Sequence, residues 1–282
     1  MKPKKPGQYW DIMMSPITVT GCHVSRGCDR CWHHAMARRF YDIHERGKLV
    51  GIDDGIEVRW HEDRLMTVRG DLTRRVVAVG WLGDMFHPLV PREYINRILD
   101  AVLANGLHIY LFLTKHPGRM AQVVNEHLAQ SERYVDEARR ENLNLWFGTS
   151  VEDQPTAEAR INALSHVWHG RRWVSYEPAK GPMLLPRSGV RSTLRNGPPL
   201  KTTVELVVAG GETGAGASQV NIEWFMNLRD QCRETGVTFY LKTLGDARKK
   251  ELKGFSDAAE RARMIAGKTY DDLPWVGEVF EG

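Results

Sequence analysis

Short, nearly continuous apolar runs alternate along the chain with longer stretches whose apolar residues recur every three to four positions. The runs are PITVTG (16–21), RVVAVGWL (75–82), HIYLFLT (108–114), LWFGTS (145–150), RWVSYEP (172–178), ELVVAGG (205–211) and TFYLKT (238–243). Short runs that stay apolar and aromatic throughout are the pattern of strands covered on both faces, as in a parallel sheet. The stretches between them read as amphipathic helices. In residues 92–104, Tyr94, Ile95, Ile98, Leu99, Val102 and Leu103 fall on one stripe. Residues 155–167 open on Pro155, after Asp153 as a candidate cap. Residues 221–235 stop before Gly236, a residue suited to a left-handed helix end.

Repeated strand–helix units predict an α/β fold with a parallel sheet. About seven units over this length predict a full or partial TIM-type (β/α) barrel spanning residues 1–245. Residues 246–282 are expected to form a charged helical tail packed on the barrel. Residues 187–203, RSGVRSTLRNGPPLKTT, carry no acid and are rich in small and basic residues, so an exposed loop is expected. Of the 282 residues, 42% are hydrophobic and 26% charged, which is ordinary globular usage. No apolar run is long enough to span a membrane, and the first sixteen residues do not read as a signal peptide. The expected setting is a cytoplasm, of a bacterium or a phage-infected host, with reduced thiols. The net charge of +4 fits a nucleic-acid or phosphorylated partner without requiring one.

The distinctive polar residues follow the apolar runs. They are Cys22, Asp84, Thr114 with Lys115, Thr149 with Ser150, Glu177, Gly210 to Glu212, and Lys242. In parallel α/β folds the C-terminal strand ends share one face, where active sites are built. A common site is therefore expected there. After the first run, Cys22, Cys28 and Cys31 form a Cys-x5-Cys-x2-Cys pattern in a loop that also holds Gly21 and Gly27. Tightly spaced thiols in a reducing compartment bind metal more often than they form disulfides. A structural zinc completed by His23, His33 or His34 is one reading. A [4Fe–4S] cluster on three thiolates, with one iron left open, is another. Cys232, alone in a helical stretch, reads as a small core residue.

Beyond spacing, the cysteine loop resembles that of the radical S-adenosylmethionine (SAM) superfamily. The segments TGCHVSRGCDRCWHHAMARR, GDMFHP, LTKHPGRM, GTSVEDQ, SYEPAKGP, VVAGGETG and FYLKTLGD resemble, in this order, a three-Cys-motif family of phages and bacteria without an assigned function. That resemblance covers residues 9–246. Within it, GDMFHP, LTKHP and GTSVED are more distantly similar to the TDPYQP, TKS and Ser-bearing strand of the spore photoproduct lyase family. The first cysteine gap is longer than the superfamily's commonest x3, and Arg30 stands where an aromatic usually precedes the third cysteine.

The resemblance implies a [4Fe–4S] cluster on Cys22, Cys28 and Cys31, with SAM chelating the open iron. One-electron reduction, from an electron-donor partner, would cleave SAM to methionine and a 5′-deoxyadenosyl radical that abstracts hydrogen from a substrate. It implies that Lys115 pairs with the methionine carboxylate and that Ser150 contacts the same moiety or the ribose. Gly83 and Asp84 would meet the SAM amino group, and Trp32 would shield cluster or adenine. Glu177, Glu212 and Lys242 fall on the substrate side, either as catalytic hydrogen-bonding and proton-transfer groups or as an ion-pair network. The expected substrate is a nucleic acid or nucleotide, which Arg187, Arg191, Arg195 and Lys201 would contact at phosphates. The competing expectations are a small metabolite or protein side chain as substrate, and a non-catalytic zinc- or cluster-bearing nucleic-acid-binding protein. No nucleophile elbow or zinc-hydrolase motif is present, which argues against a hydrolase.

Overall fold

The computed structural model describes residues 5–29, 31, 33, 45–65, 73–130, 144–186, 204–253 and 257–275. The predicted basic loop 187–203, Trp32 and His34 lie outside the described residues. Seven parallel strands form one sheet: β1 (Ile12–Met14), β5 (Val76–Val79), β6 (Ile109–Thr114), β7 (Leu145–Val151), β8 (Arg171–Tyr176), β9 (Leu206–Gly210) and β10 (Thr238–Thr243), in that spatial order. A second sheet is antiparallel, with β2 (Ile17–Thr20), β4 (Ile56–Trp60) and β3 (Lys48–Asp53) side by side.

The helices among the described residues are α1 (Glu62–Leu65), α2 (Arg92–Ala104), α3 (Pro117–Ala129), α4 (Gln154–Leu164), α5 (Ile222–Thr235), α6 (Asp246–Glu251) and α7 (Ala258–Arg261). Strand order in the large sheet never reverses, so right-handed crossovers carry every connecting helix to the same face. Residues of one parity face those helices: Val77, Val79, Tyr110, Phe112, Phe147, Val174, Tyr176 and Val207 share a core with α2, α3, α4 and α5. The opposite parity, including Val76, Ile109, Leu111, Trp146, Trp173, Leu206, Val208 and Tyr240, forms a second core on the concave face. With the described connecting helices on one side, the sheet curls. Among the described residues β1 and β10 are not paired with each other, so the sheet is a curled half-barrel, with no ring closed by strand pairing.

The first predicted strand is corrected. Residues 16–21 do not open the large sheet; β2 pairs antiparallel with β4, Ile17 opposite Trp60 and Val19 opposite Val58. The first parallel strand is the three-residue β1, Ile12 opposite Val77. The small sheet is fastened by close backbone approach. A Cβ on Gly83, whose φ is +101°, would meet the Val19 nitrogen at 2.3 Å.

Residues 7–10 and Trp275 enter the concave face. Tyr9 is buried against Trp81, Trp173 and Tyr240. A Cβ on Gly7 would meet the Lys242 carbonyl at 2.3 Å, so residues 7–10 bridge from β10 back to β1. After α6 and α7 the tail leaves helix. Leu241 N–H donates to the Tyr270 carbonyl (2.9 Å), and Trp275 packs edge-on against Trp146 at 5.2 Å. Among the described residues of the expected helical tail, two short helices are followed by an irregular segment that carries Trp275 into the concave core.

Candidate functional site

Asp84, Lys115, Ser150, Glu177, Glu212 and Lys242 all stand at the C-terminal ends of the parallel strands. Three lysine–glutamate pairs line this rim: Lys115 with Glu152, Lys242 with Glu177, and Lys180 with Glu212. Glu152 and Lys180 were not singled out in the sequence. Glu152 lies two residues beyond Ser150, and side chains alternate faces along a strand, so both share the concave side. That period-2 step was the available signal for Glu152. Lys180 lies beyond the end of β8, where no periodicity applies.

Glu152 is the tightest junction of the site. Its side chain is 2% exposed. It accepts hydrogen bonds from the Lys115 ammonium, the Ser25 hydroxyl and the Gly27 N–H (2.9 Å). Lys115 Nζ also reaches Ser25 Oγ at 3.0 Å. Burial by itself would raise the Glu152 pKa, but the hydrogen bonds from Lys115 and Ser25 and the Lys115 charge hold it below the usual carboxylate value. Ser25 and Gly27 lie between the first two cysteines, so this carboxylate ties the cysteine loop to the ends of β6 and β7. There is no room at Gly27 for a side chain: a Cβ would meet Glu152 Oε1 at 2.6 Å and Lys115 Nζ at 3.1 Å.

The cysteine loop itself makes one 3-10 turn, Arg26–Cys28, and Cys31 N–H donates to the Cys28 carbonyl at 3.1 Å. All three thiols are free; Cys28 is buried and Cys22 and Cys31 are half-buried. Burial pushes the Cys22 thiol up to about 12, and the proximity of Cys28, Asp84 and Cys31 adds to the rise. A bound cation favours deprotonation of neighbouring thiols. In number and chemistry the three thiols fit a thiolate-held metal group. Among the described residues, however, no three His, Cys, Asp or Glu side chains are drawn together into a ready-made metal site. The described histidines of the zinc reading have other partners at Nε2: His23 meets Asp29 at 2.7 Å and His33 meets the Val19 carbonyl at 2.8 Å.

The remaining residues divide into two groups. Asp84 is a brace: its carboxylate accepts from Thr114 Oγ1 (2.7 and 2.8 Å), Lys115 N–H (2.7 Å) and Phe86 N–H (3.0 Å). It fixes the end of β6, and hence Lys115, against the loop after β5. Gly83 serves the small-sheet contact described above. Ser150 is 8% exposed, and its carbonyl accepts from Arg160 at 2.7 Å. His87 and His116, from the motifs after β5 and β6, meet edge to face at 5.3 Å, and burial lowers the pKa of both. Glu177 and Lys242 form a two-pronged pair at 2.7 and 2.8 Å, with the ammonium 5.8 Å from the Trp10 ring centre. Glu212 does not join them. It accepts from Lys180 (2.7 Å) and Ser218 N–H (2.9 Å); burial opposes ionisation, and these hydrogen bonds hold its pKa low. Cys232, on the buried face of α5, is fully buried in the core, its thiol pushed up to about 12 by burial, away from the rim.

A family model described as a protein of unknown function (DUF5131) matches residues 9–274. The chain belongs to that family. The family's span takes in the cysteine loop, all three rim pairs and the tail as far as the residue before Trp275. Neither a curated protein nor a solved structure gives a significant match. No helix among the described residues is long and apolar enough to cross a membrane.

Proposed function

We propose that this chain is a radical SAM enzyme that carries a [4Fe–4S] cluster on Cys22, Cys28 and Cys31 and acts on a nucleic acid or nucleotide. The observation that carries the reading is the placement of the thiols: three free cysteines in one loop, tied by Glu152 and Lys115 to the C-terminal rim of a parallel half-barrel. That rim is where folds of this layered type, including TIM-type barrels, build active sites. When bound, such a cluster with SAM supplies one-electron cleavage and a carbon radical. The chain's own residues supply position and charge. Glu152 holds the loop between Cys22 and Cys28 in register with β7. Asp84 braces the strand end that presents Lys115, whose ammonium is the cation for the methionine carboxylate. Ser150 adds a hydroxyl on the same face. The Lys242–Glu177 and Lys180–Glu212 pairs stand on the substrate side as polar walls, and the hydrogen bonds from Lys180 and Ser218 favour the Glu212 carboxylate.

Anaerobic purification, iron and sulfide analysis, and EPR after dithionite reduction test the proposal. About four irons per chain and a signal that shifts when SAM is added are expected. Cys22→Ala, Cys28→Ala or Cys31→Ala should each abolish iron binding, while Cys232→Ala retains it. Stoichiometric zinc with no iron after anaerobic reconstitution, or equal iron loss in all four variants, would overturn it.

A further inference from the structure

The concave face changes character with height. Toward the N-terminal ends of the strands it is sealed: Trp146, Trp173, Tyr9 and Tyr240 are each no more than 4% exposed. Nearer the rim, Trp10 and Trp81 pack on this core but are only half-buried, as is Leu113 beside them. The two indoles lie 5.1 Å apart and are inclined at 61°. Trp81 is anchored through its N–H to the Leu111 carbonyl at 3.0 Å. Next to Trp10 stands the Lys242–Glu177 pair, with side-chain exposures of 26% and 15%. Their partial exposure leaves part of each indole surface uncovered by the rest of the fold. The result is an anchored aromatic corner with one donor and one acceptor at its edge.

We propose that this corner, Trp10 and Trp81 with Lys242 and Glu177, is a subsite that stacks a nucleobase. A flat ring with a hydrogen-bonding edge matches both features: one indole takes its face while the other, inclined at 61°, walls its side, and the ammonium and carboxylate take its acceptor and donor groups. An aliphatic side chain lacks the edge, and ribose 5-phosphate in the test below stands for a sugar without a base. The inference rests in part on the function proposed above, because the base belongs either to the substrate or to the adenine of SAM. Its test is independent of iron and turnover.

Binding of AMP, CMP, S-adenosylhomocysteine, a single-stranded decanucleotide and ribose 5-phosphate to the full chain is measured by titration calorimetry. At least one base-bearing probe binds and ribose 5-phosphate binds more weakly. Trp10→Ala weakens the base-bearing probe about tenfold, the scale of one lost base stack. Trp10→Phe, which keeps a ring and protects the fold, weakens it less. Trp168→Ala, at an exposed tryptophan on the loop before β8, leaves affinity unchanged. If only S-adenosylhomocysteine responds to the Trp10 variants, the ring is the SAM adenine; if AMP, CMP or the oligonucleotide responds, it is a substrate base. Equal affinity of Trp10→Ala and the parent, equal binding of ribose 5-phosphate and AMP, or no binding of any base-bearing probe overturns the subsite. A chain that binds bases through Trp10 but carries no cluster keeps the subsite and loses the radical chemistry.

Discussion

At the scale of single residues, the site turns on one carboxylate that hydrophobic patterning does not reveal. Glu152 is buried and shared among Lys115, Ser25 and Gly27, so removing it leaves an ammonium and a loop N–H short of a partner. Glu152→Ala should cost about 3 kcal/mol in urea unfolding, the range for breaking a buried pair from one side. It should also make Cys28 more reactive toward a thiol reagent in the folded protein. Gly27→Ala should disturb the same junction by overlap, because the nearest atoms are the tethered ends of Glu152 and Lys115. The pH dependence has a definite sign. The pKa values of Glu152 and Glu212 are lower in the folded protein than the ordinary value of 4.5. Their pairing therefore stabilises the fold fully above that value and less as pH falls through the depressed folded values. The urea midpoint should drop as pH is lowered below about 4.5, and Glu152→Gln should show a shallower drop.

At the scale of elements, local pattern and local structure agree where an element is long and capped. Helix α2 spans the predicted residues 92–104; four of the six stripe residues, Ile95, Ile98, Leu99 and Val102, are buried with Ala101, while Tyr94 and Leu103 are half-buried. Asp153 caps α4 in a capping box with Thr156, and Gly236 ends α5 at φ 71°. Asp153→Ala should cost about 1 kcal/mol in denaturant unfolding. Agreement fails where elements are short. β1 has three residues, below the length at which a run stands out, so the next run, β2, takes its place in a reading by pattern. The β3–β4 hairpin was legible in principle: Asp54 and Gly55 sit at its turn with φ of 43° and 75°, as an Asp-Gly turn requires. Six of the seven predicted strands sit in the large sheet, since a strand buried on both faces needs unbroken apolar sequence wherever it pairs.

At the scale of the whole molecule, the open side of the half-barrel holds residues 7–10 and Trp275, and among the described residues no strand pair closes it. Tyr9 and Trp275 enter the concave core from opposite ends of the sequence. Trp275→Ala should destabilise the protein by about 3–5 kcal/mol and raise hydrogen exchange in β7, where Trp146 loses its partner ring. The sequence by itself determined the parallel α/β class, most strands and the main helices, because each follows from local periodicity and capping. It also determined that polar residues gather at the strand ends, because a parallel sheet puts those ends on one face. Only the tertiary structure decided that β2 leaves the large sheet and that the curl stops short of closure by pairing. It alone assigned the lysine partners, giving Glu152 to Lys115, Glu177 to Lys242 and Glu212 to Lys180. Ion pairing depends on distance across neighbouring strand ends and not on sequence separation, so a chain of alternating patterns leaves those choices open until it folds.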